Sequence, residues 1–478
     1  MTNDEMQEFL GSRLNYERKG MPDRTELRLD RVHALLQLLG SPHLSYPVVH
    51  VAGTKGKGST CHLVASMLGA RHGKVGLHTS PHFFRIEERF RINGEPAPSA
   101  EIAHLIADMI PAIRAVDAKL EPEQPALTYF EITTALTMLY FQRQAVDWAV
   151  IEVGMGGRLD STNVVVPAVS VITSISMDHT KQLGNSLESI AREKAGIIKT
   201  GKPVVSGVEQ PSVRAVIEEV ARQNESSLRQ LSVDFDYRYS SRGTAGGTVE
   251  IRTWRRNWPS LQIPLIGEHQ ARNTAVAAAV MDTVLEAKED ALPEKLPHAV
   301  ANLSFMGRFQ ILHGAPTVIL DVAHNDASVR ALRESMESAF GKRGKDRAKR
   351  ILIFASSADK DWRTMLKILA DAFDHVILTA YQNNPRAIPA SDLANQAPPL
   401  PVPVSVAFDP PSAWLVASEL TRADSPITHA SGHENGGTQG SAGLVCVTGS
   451  FYLVAEMAEH LSANPLARLN RHGGLVRQ

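Results

Sequence analysis

Cysteine and long apolar runs are both scarce in this sequence. Two cysteines, Cys61 and Cys446, occur among 478 residues, and they lie far apart along the chain. Two such residues cannot form a disulfide framework, and their spacing is not that of a metal site. No apolar run reaches the about 20 residues that cross a membrane, and the acidic first residues lack the apolar segment of a signal peptide. These absences predict a cytoplasmic protein with no membrane partner.

An excess of charge of either sign is missing as well. The 50 lysines and arginines are balanced by 51 aspartates and glutamates, which gives a formal net charge of -1. Nucleic-acid-binding proteins usually carry a basic surplus, so this balance predicts no nucleic-acid partner. The hydrophobic content of 43% is that of an ordinary globular protein. The length predicts two or three domains.

Short β-branched runs alternate with helical patterns along most of the chain. Continuous apolar strands of this kind are typical of parallel sheets that are buried on both faces. The expected strands are 46–51, 74–78, 148–153, 169–175 and 203–208 in the first half, and 317–320, 351–354, 376–378, 404–408 and 444–447 in the second. Helical spacing of apolar residues is found at 28–39 and 327–340, and residues 267–286 form an alanine-rich helical segment.

These patterns predict an α/β protein with two domains. We expect an N-terminal P-loop-type parallel-sheet ATPase domain over 1–300, with a small antiparallel excursion at 238–265. A C-terminal doubly wound, Rossmann-like α/β domain is expected over 301–478. Residues 422–443 contain little that can pack, so they are expected to form a disordered loop.

A glycine-rich turn follows the first predicted strand. Residues 51–60 read Val-Ala-Gly-Thr-Lys-Gly-Lys-Gly-Ser-Thr. Glycines let backbone N–H groups approach a phosphate, and a following helix N-terminus favours negative charge. Lys57 adds a cation, and Ser59 offers a hydroxyl to Mg²⁺. The strict P-loop pattern needs glycine where Val51 stands, so a surface turn is the alternative to a nucleoside triphosphate site.

Polar residues follow the next predicted strands. Glu152 ends one strand and is placed to hold Mg²⁺, because ligands gather at the carboxyl ends of parallel strands; a solvated loop acid is the alternative. His179 follows another strand and is a candidate metal ligand or acid–base group, against a structural histidine. Lys194 and Lys199 lie near the end of a short helical segment, and by chemistry alone they favour a role at the helix dipole.

Similar candidates occur in the second half. Arg308 lies before a predicted strand that leads into Asp321 and His324. An arginine can hold a phosphate with two hydrogen bonds, and the other two side chains can orient that arginine or contact a ribose. An ordinary helix N-terminus at Asn325 or Asp326 is the competing interpretation.

Taken together, these segments resemble the folylpolyglutamate synthase/dihydrofolate synthase family of the Mur ligase superfamily. Lys55 stands where bacterial members often carry asparagine, and Val322 replaces a frequent glycine. The resemblance spans most of the chain, in family order, through segments 50–59, 80–82, 91–94, 130–131, 152–160, 178–180, 193–197, 267–270 with Asn273, 307–309, 321–325, 359–361 and 449–453.

The resemblance implies an ATP-dependent ligase. Such an enzyme phosphorylates the carboxylate of a folate or dihydropteroate, and the amino group of L-glutamate then attacks the acyl phosphate. The motifs do not separate folylpolyglutamate synthase from dihydrofolate synthase activity. A Mur-type cell-wall precursor ligase and a nucleotide-dependent switch without ligation are the alternatives. Folate or dihydropteroate, glutamate and ATP are the implied partners of what we expect to be a monomer.

The resemblance also implies roles for single residues. Lys57, Lys194 and His179 are the catalytic candidates, with Lys194 carbamylated, and a monovalent cation is a further expected cofactor. The implied ATP contacts are Gly53, Thr54, Gly56, Lys57, Gly58, Ser59, Thr60, His269, Asn273, Arg308, Asp321 and His324, the last three reached by domain closure. The implied Mg²⁺ ligands are Ser59, Glu152, His179 and Lys194. The implied folate contacts are Ser80, Pro81, His82, Arg89 and Phe130.

Overall fold

The computed structural model describes residues 1–19, 28–71, 73–121, 124–285, 291–344, 347–422 and 443–463. The chain divides into two compact units. The first comprises Met1–Ser240, Gly247–Pro264 and Glu268–Leu303, and the second comprises Ser241–Gly246, Leu265–Gly267 and Ser304–Gln478.

The first unit contains two sheets and eleven helices within the described residues. Its strands are β1 (Val48–Ala52), β2 (Val75–His78), β3 (Phe90–Ile92), β4 (Glu95–Pro96), β5 (Trp148–Glu152), β6 (Val169–Ile172), β7 (Val204–Ser206), β8 (Leu228–Gln230), β9 (Asp236–Ser241), β10 (Gly247–Arg252) and β11 (Leu261–Ile263). Its helices are α1 (Asn3–Gly11), α2 (Tyr16–Lys19), α3 (Asp30–Leu38), α4 (Lys57–Gly69), α5 (Ser99–Asp117), α6 (Tyr129–Arg143), α7 (Thr180–Leu183), α8 (Leu187–Ala195), α9 (Pro211–Gln223), α10 (Glu268–Val284) and α11 (Leu296–Ala301).

The large sheet of the first unit has the strand order β4-β3-β2-β5-β1-β6-β7-β8. The strands from β2 to β8 are parallel, whereas β3 and β4 pair in antiparallel fashion at one edge. All five residues of β1 are buried. β1 lies between β5 and β6, with Val51 paired to both Glu152 and Val171. The carboxyl ends of these three strands therefore lie side by side.

As far as the structure describes it, the second unit is built on one six-stranded sheet. Its strands are β12 (Gln310–Leu312), β13 (Thr317–Leu320), β14 (Arg350–Phe354), β15 (His375–Leu378), β16 (Val404–Val406) and β17 (Leu444–Thr448), in the order β12-β13-β17-β14-β15-β16. Only β12 is antiparallel to its neighbour. Its helices are α12 (Asp326–Phe340), α13 (Trp362–Ala370), α14 (Ala390–Asn395), α15 (Pro410–Arg422) and α16 (Phe451–Ala463).

The predicted fold class is confirmed, and the antiparallel excursion is the sheet of β9, β10 and β11. One predicted strand, 169–175, is wrong at its end, because β6 stops at Ile172. Beyond that point Thr173 N still donates to Ala52 O of β1, but the Thr173 side chain and the backbone of Ser174 bond to the loop after β1. Of the expected loop at 422–443, residues 423–442 lie outside the described residues.

Membrane-spanning helices were not expected. In the part of the chain that the structure describes, no helix is long and apolar enough to cross a bilayer.

Candidate active site

The loop between β1 and α4 is packed too tightly for side chains at two of its glycines. A Cβ on Gly53 would collide with Thr173 Oγ1, and the backbone there has a φ of +154°. Gly56 has a left-handed φ of +81°, and a Cβ there would collide with Asn273 Oδ1 on α10. Backbone amides of this loop are thus free of shielding side chains at both positions. We call residues 53–60 the phosphate loop.

Replacing Gly56 with alanine is expected to weaken nucleotide binding. The substitution forces an L residue into a left-handed conformation and pushes against Asn273, at a cost of about 1–2 kcal/mol, or roughly tenfold in binding. Steady-state kinetics should show a KM for ATP raised about tenfold. Gly40→Ala is the matched control, because Gly40 has the same φ of +81° with open space around it. An unchanged KM in Gly56→Ala, or an equal rise in both variants, would contradict this prediction.

The phosphate loop is tied to the segment that follows β6. Thr54 N donates to Ser174 O at 2.7 Å, and Lys55 N donates to Ser174 Oγ at 3.0 Å. Thr173 Oγ1 in turn donates to Lys55 O at 2.6 Å. These bonds satisfy backbone groups that no strand or helix pairs, so they hold the loop in one conformation.

Two lysines converge on one carbonyl of the phosphate loop. Lys57 Nζ donates to Gly53 O at 3.2 Å, and Lys194 Nζ, from the last turn of α8, donates to the same oxygen at 3.0 Å. Lys194 is buried, with 4% of its surface exposed. Burial, helped by the charge of Lys57 and opposed by Asp178, lowers the pKa of Lys194 to about 7. Lys194 therefore points into the site rather than capping its helix.

The first turn of α4 carries Gly58, Ser59 and Thr60. Ser59 and Thr60 are both buried, and Thr60 N donates to Gly56 O at 2.9 Å. The hydroxyl of Thr60 is buried without a hydrogen-bond partner among the described residues. This turn places three backbone amides and the Ser59 side chain at the helix N-terminus, the end that favours anions.

Glu152 lies beside the phosphate loop and also contacts the predicted folate loop. It is buried at the end of β5, and its Oε2 accepts a hydrogen bond from Ser80 N at 3.2 Å. Ser80 begins the loop that runs from Ser80 to Arg89, which we call the substrate loop, and a cis peptide bond joins it to Pro81. One carboxylate thus connects the two predicted binding loops.

His179 is held in a left-handed conformation before α7, with φ 50° and ψ 40°. Its backbone N donates to Asp178 Oδ1 at 3.0 Å, while Asp178 Oδ2 pairs with Lys55 Nζ at 3.1 Å. The pair of Lys55 and Asp178 was not predicted from the sequence. The sequence did offer one signal for this pair, because Lys55 stands where the family often has asparagine.

Protein groups alone form no metal site within the described ranges. Among the described residues, no three His, Cys, Asp or Glu side chains are grouped so that they could hold a metal ion. Mg²⁺ in nucleotide sites usually takes one or two carboxylates, with waters and phosphate oxygens completing its coordination. The buried carboxylate of Glu152 ends the strand next to β1, which leads into the phosphate loop, and it fits that pattern. The Lys194 amine has no oxygen to offer in its unmodified form.

The predicted adenine-side residues lie on α10. Asn273 is buried against Gly56, and its Nδ2 donates to Gln270 Oε1 at 3.0 Å. His269 is half-buried one turn earlier on the same helix. The structure thus places Asn273 at the phosphate loop itself.

A single carboxylate organises the middle of the substrate loop. Glu88 accepts hydrogen bonds from three consecutive backbone amides, Phe83 N at 2.8 Å, Phe84 N at 2.9 Å and Arg85 N at 3.0 Å. A carboxylate that binds three amides fixes the path of the chain around it. His82 and Arg89 stand on either side of this turn.

Arg89 is completely buried, although the sequence predicted that it contacts folate. Its Nη1 and Nη2 donate to Glu17 at 3.0 and 2.5 Å, and its Nε donates to His82 Nδ1 at 2.8 Å. The guanidinium also lies 5.4 Å from the ring centre of Tyr129. Direct contact between Arg89 and a substrate stays a prediction.

Phe130, in the first turn of α6, contacts the loop after Glu152. A Cβ on Gly154 would come 2.5 Å from Cζ of the Phe130 ring. The glycine after Glu152 is therefore required by an aromatic ring rather than by a phosphate. Asp160, which had no predicted role, shapes the same loop: it accepts from Met155 N at 2.8 Å and Thr162 N at 3.0 Å. The Asp-Ser-Thr sequence is typical of such turns.

The three predicted ATP contacts of the second unit form a cluster of their own. Asp321 accepts from Phe309 N at 2.8 Å and from Ala323 N at 2.9 Å, which fixes the backbone next to Arg308. Burial raises the pKa of Asp321 to about 6, against these amides and the charge of Arg308. His324 Nδ1 lies 2.8 Å from Val322 O, so it carries the proton and donates. Asn325 is the N-cap of α12, as the competing interpretation expected.

Family models identify both units. Residues 51–281 match the Mur ligase middle domain, and residues 307–428 match the Mur ligase, glutamate ligase domain. These matches define the chain as an ATP-dependent ligase of the Mur type.

Individual relatives narrow the family. The dihydrofolate synthase/folylpolyglutamate synthase of Bacillus subtilis (strain 168) is 37% identical over 370 residues, which cover 76% of this chain and 83% of the relative. The folylpolyglutamate synthase of Lacticaseibacillus casei is 35% identical over 363 residues, which cover 75% of this chain and 82% of the relative. The chain belongs to the folylpolyglutamate synthase/dihydrofolate synthase family.

Solved structures agree with this assignment. Mycobacterium tuberculosis folylpolyglutamate synthase complexed with ADP has a TM-score of 0.84 at 30% identity, covering 97% of this chain and 99% of that one. Escherichia coli FolC in complex with DHPP and ADP has a TM-score of 0.78 at 29% identity, and the match covers 97% of this chain and 98% of that one.

Proposed function

We propose that this protein is an ATP-dependent ligase that joins L-glutamate to the carboxylate of a folate or a dihydropteroate. The observation that carries the proposal is the hydrogen bond between Ser80 N and Glu152 Oε2. This bond joins Ser80 to the end of β5, the strand next to β1, which supports an acceptor site near the phosphate loop. A ligase needs its acceptor carboxylate next to the terminal phosphate of ATP, whereas a nucleotide switch has no such need. The relatives' names and the complex with DHPP and ADP support the same activity.

The chemistry explains why ATP is consumed. A carboxylate is a poor electrophile, because an oxide would have to leave. When a carboxylate oxygen attacks the γ-phosphorus, ADP leaves and an acyl phosphate forms. The amine of glutamate then attacks the acyl carbon, phosphate departs, and the nitrogen loses a proton. Lys57 and the amides of Gly53 to Thr60 would hold the phosphates throughout.

Several further roles belong to this proposal. Ser59, Glu152 and His179 would hold Mg²⁺, which supplies neutralisation of the charge on the phosphoryl oxygens. His269 and Asn273 would contact the adenine side of ATP. Arg308, Asp321 and His324 would bind ATP from the second unit. We also expect the protein to be cytoplasmic and monomeric. Sedimentation of the purified protein would check that it is a monomer.

Lys194 is proposed to be carbamylated. A buried amine whose pKa is about 7 is about half uncharged at neutral pH, and an uncharged amine can add CO₂. The nitrogen loses a proton as the N–C bond forms, so the product is an anion with two oxygens, a group that fits a Mg²⁺ site as the amine does not.

Phosphate release from Mg·ATP tests the proposed activity. The assay compares dihydropteroate, tetrahydrofolate and no acceptor, each with and without glutamate. Release that needs both glutamate and a pterin acceptor is the expected result, and the preferred acceptor tells which of the two activities dominates. Release that ignores both compounds would overturn the proposal.

A further inference from the structure

The bond between Arg89 and His82 determines which nitrogen of His82 carries the proton. Arg89 Nε–H can only donate, so His82 Nδ1, 2.8 Å away, must accept. A neutral imidazole has one donor and one acceptor nitrogen. The proton of His82 therefore resides on Nε2, which makes no hydrogen bond with any residue that the structure describes.

The arginine itself is fixed by a carboxylate. Both terminal nitrogens of Arg89 bond to Glu17, one to each carboxylate oxygen. This two-point pairing orients the guanidinium plane and leaves Nε directed at His82. Tyr129 lies against the guanidinium and limits its movement further. The chain Glu17, Arg89, His82 thus ends in a single N–H donor.

That donor lies on the substrate loop. His82 is two residues beyond Ser80, whose amide contacts Glu152 at the phosphate loop. It is half-buried, whereas Arg89 behind it has no exposed surface. Of this chain of three residues, His82 is the one whose remaining polar atom has no protein partner in the described structure.

We propose that His82 recognises the pterin-containing substrate by donating a hydrogen bond from Nε2 to an acceptor oxygen of that substrate. Glu17 and Arg89 are positioning residues that fix the tautomer. The inference rests on the proposed function for the identity of the substrate, and it assigns Arg89 an indirect role in place of a direct contact.

The charge state of His82 agrees with this role. Burial, followed by the charge of Arg89, lowers the pKa of His82 to about 3. The ring is therefore neutral near neutral pH, and Nδ1 is available to accept from Arg89.

Two amide substitutions at His82 test the roles of the two ring nitrogens separately. The amide nitrogen of glutamine can occupy the place of Nε2, so His82→Gln keeps the donor to the substrate. The amide oxygen of asparagine can occupy the place of Nδ1, so His82→Asn keeps the acceptor for Arg89 and loses the donor. We expect His82→Asn to raise the KM for the pterin acceptor about 10- to 100-fold, the effect of leaving a buried acceptor oxygen of the substrate without its hydrogen bond. His82→Gln should stay within about threefold of the unmodified enzyme.

The KM for ATP should be unchanged in both variants, since His82 does not contact the phosphate loop. Equal KM values for the pterin acceptor in the two variants, whether low or high, would overturn the proposal. Failure of the unmodified enzyme to release phosphate in response to glutamate and pterin would instead refute the proposed function.

The tautomer is tested independently of activity. Nitrogen-15 NMR of the histidine-labelled full chain, with His82 assigned by its loss in His82→Gln, should show a protonated Nε2 and an unprotonated Nδ1. In Glu17→Gln the two nitrogens should report a mixture of tautomers, because the guanidinium is no longer held at two points. A protonated Nδ1 in the unmodified protein would overturn the inference.

Discussion

Replacing Lys194 by alanine will reduce the rate of ligation by about 10²- to 10³-fold while nucleotide binding persists. The side chain lies at the phosphate loop, bonded to Gly53 O, and it is proposed to supply a metal-binding carbamate. Its loss removes a group that acts on the developing charge, which lowers kcat, whereas the loop amides that bind ADP remain. Phosphate release and calorimetric ADP titration measure the two effects.

Lys199→Ala is the matched control for this variant. Lys199 comes five residues later, is half-buried, and bonds through Nζ to Asn163 O, outside the phosphate loop. Its substitution should leave kcat within about threefold, the usual result for a change away from the reacting groups. Intact-mass analysis under CO₂ should show one added carbamate that Lys194→Ala lacks, and a short carboxylate should restore part of its rate. Full activity of Lys194→Ala would contradict both the role and the modification.

The sequence predicts those parts of the fold that local patterns determine. β13 was predicted at its observed bounds, Thr317–Leu320. A short apolar run between turns is too short for a typical helix and fits a buried strand. The antiparallel additions at β3, β4 and β12 were not predicted. Their pairing depends on neighbours that are distant in sequence or on short turns, and residues such as Gln310–Leu312 are only half-buried. Edge strands of this kind lack the continuous apolar pattern of central strands.

The candidate site shows the same division. The glycine-rich sequence and the strand-end acids could be recognised because each is contiguous, and β1, β5 and β6 bring them to neighbouring strand ends. The lowered pKa of Lys194 could not be recognised from local sequence, because it comes from burial and from Lys57, which is 137 positions away in the sequence. Likewise, the chain from Glu17 through Arg89 to His82 joins α2 to the substrate loop. Such partnerships depend on tertiary packing, which local spacing does not encode.

Two buried histidines are expected to make the first unit labile to acid. His50 on β1 and His78 on β2 are both in register with Ile151 of β5, so they lie on the same face of the sheet on either side of that strand. Burial is the main reason that the pKa of each is lowered to about 3; Lys199 adds to the effect at His50, and Arg89 at His78.

The hydrogen bonds explain why these rings resist a second proton. Thr162 Oγ1 donates to Asp160, so it accepts the Nε2–H of His50 at 2.9 Å. His78 Nδ1 faces Arg89 O at 3.0 Å and therefore carries the proton. The other nitrogen of each ring is buried with no hydrogen-bond partner among the described residues. Protonation would place an unpaired charge in the core.

The direction of the pH effect follows from these lowered pKa values. The unfolded chain takes up protons near pH 6.5, whereas the folded rings do not until about pH 3. The stability that the neutral rings contribute is therefore complete above pH 6.5 and is lost as the pH falls below it. Below pH 6.5 each ring lowers the free energy of unfolding by about 1.4 kcal/mol per pH unit, so the two rings together lower it by about 5 kcal/mol at pH 4.5.

Amide substitutions isolate this contribution from that of other groups. His50→Gln retains a donor at the Nε2 position, and His78→Asn retains one at the Nδ1 position, but neither side chain titrates. The carboxyls of Glu131 and Asp160, whose pKa values burial raises, favour the folded state in acid and act equally in all variants. Denaturant unfolding of the full chain, following the transition that ADP stabilises, should show a pH slope flatter by about 1.4 kcal/mol per unit for each substitution. Equal slopes in the unmodified protein and in both variants would show that these histidines do not govern its acid lability.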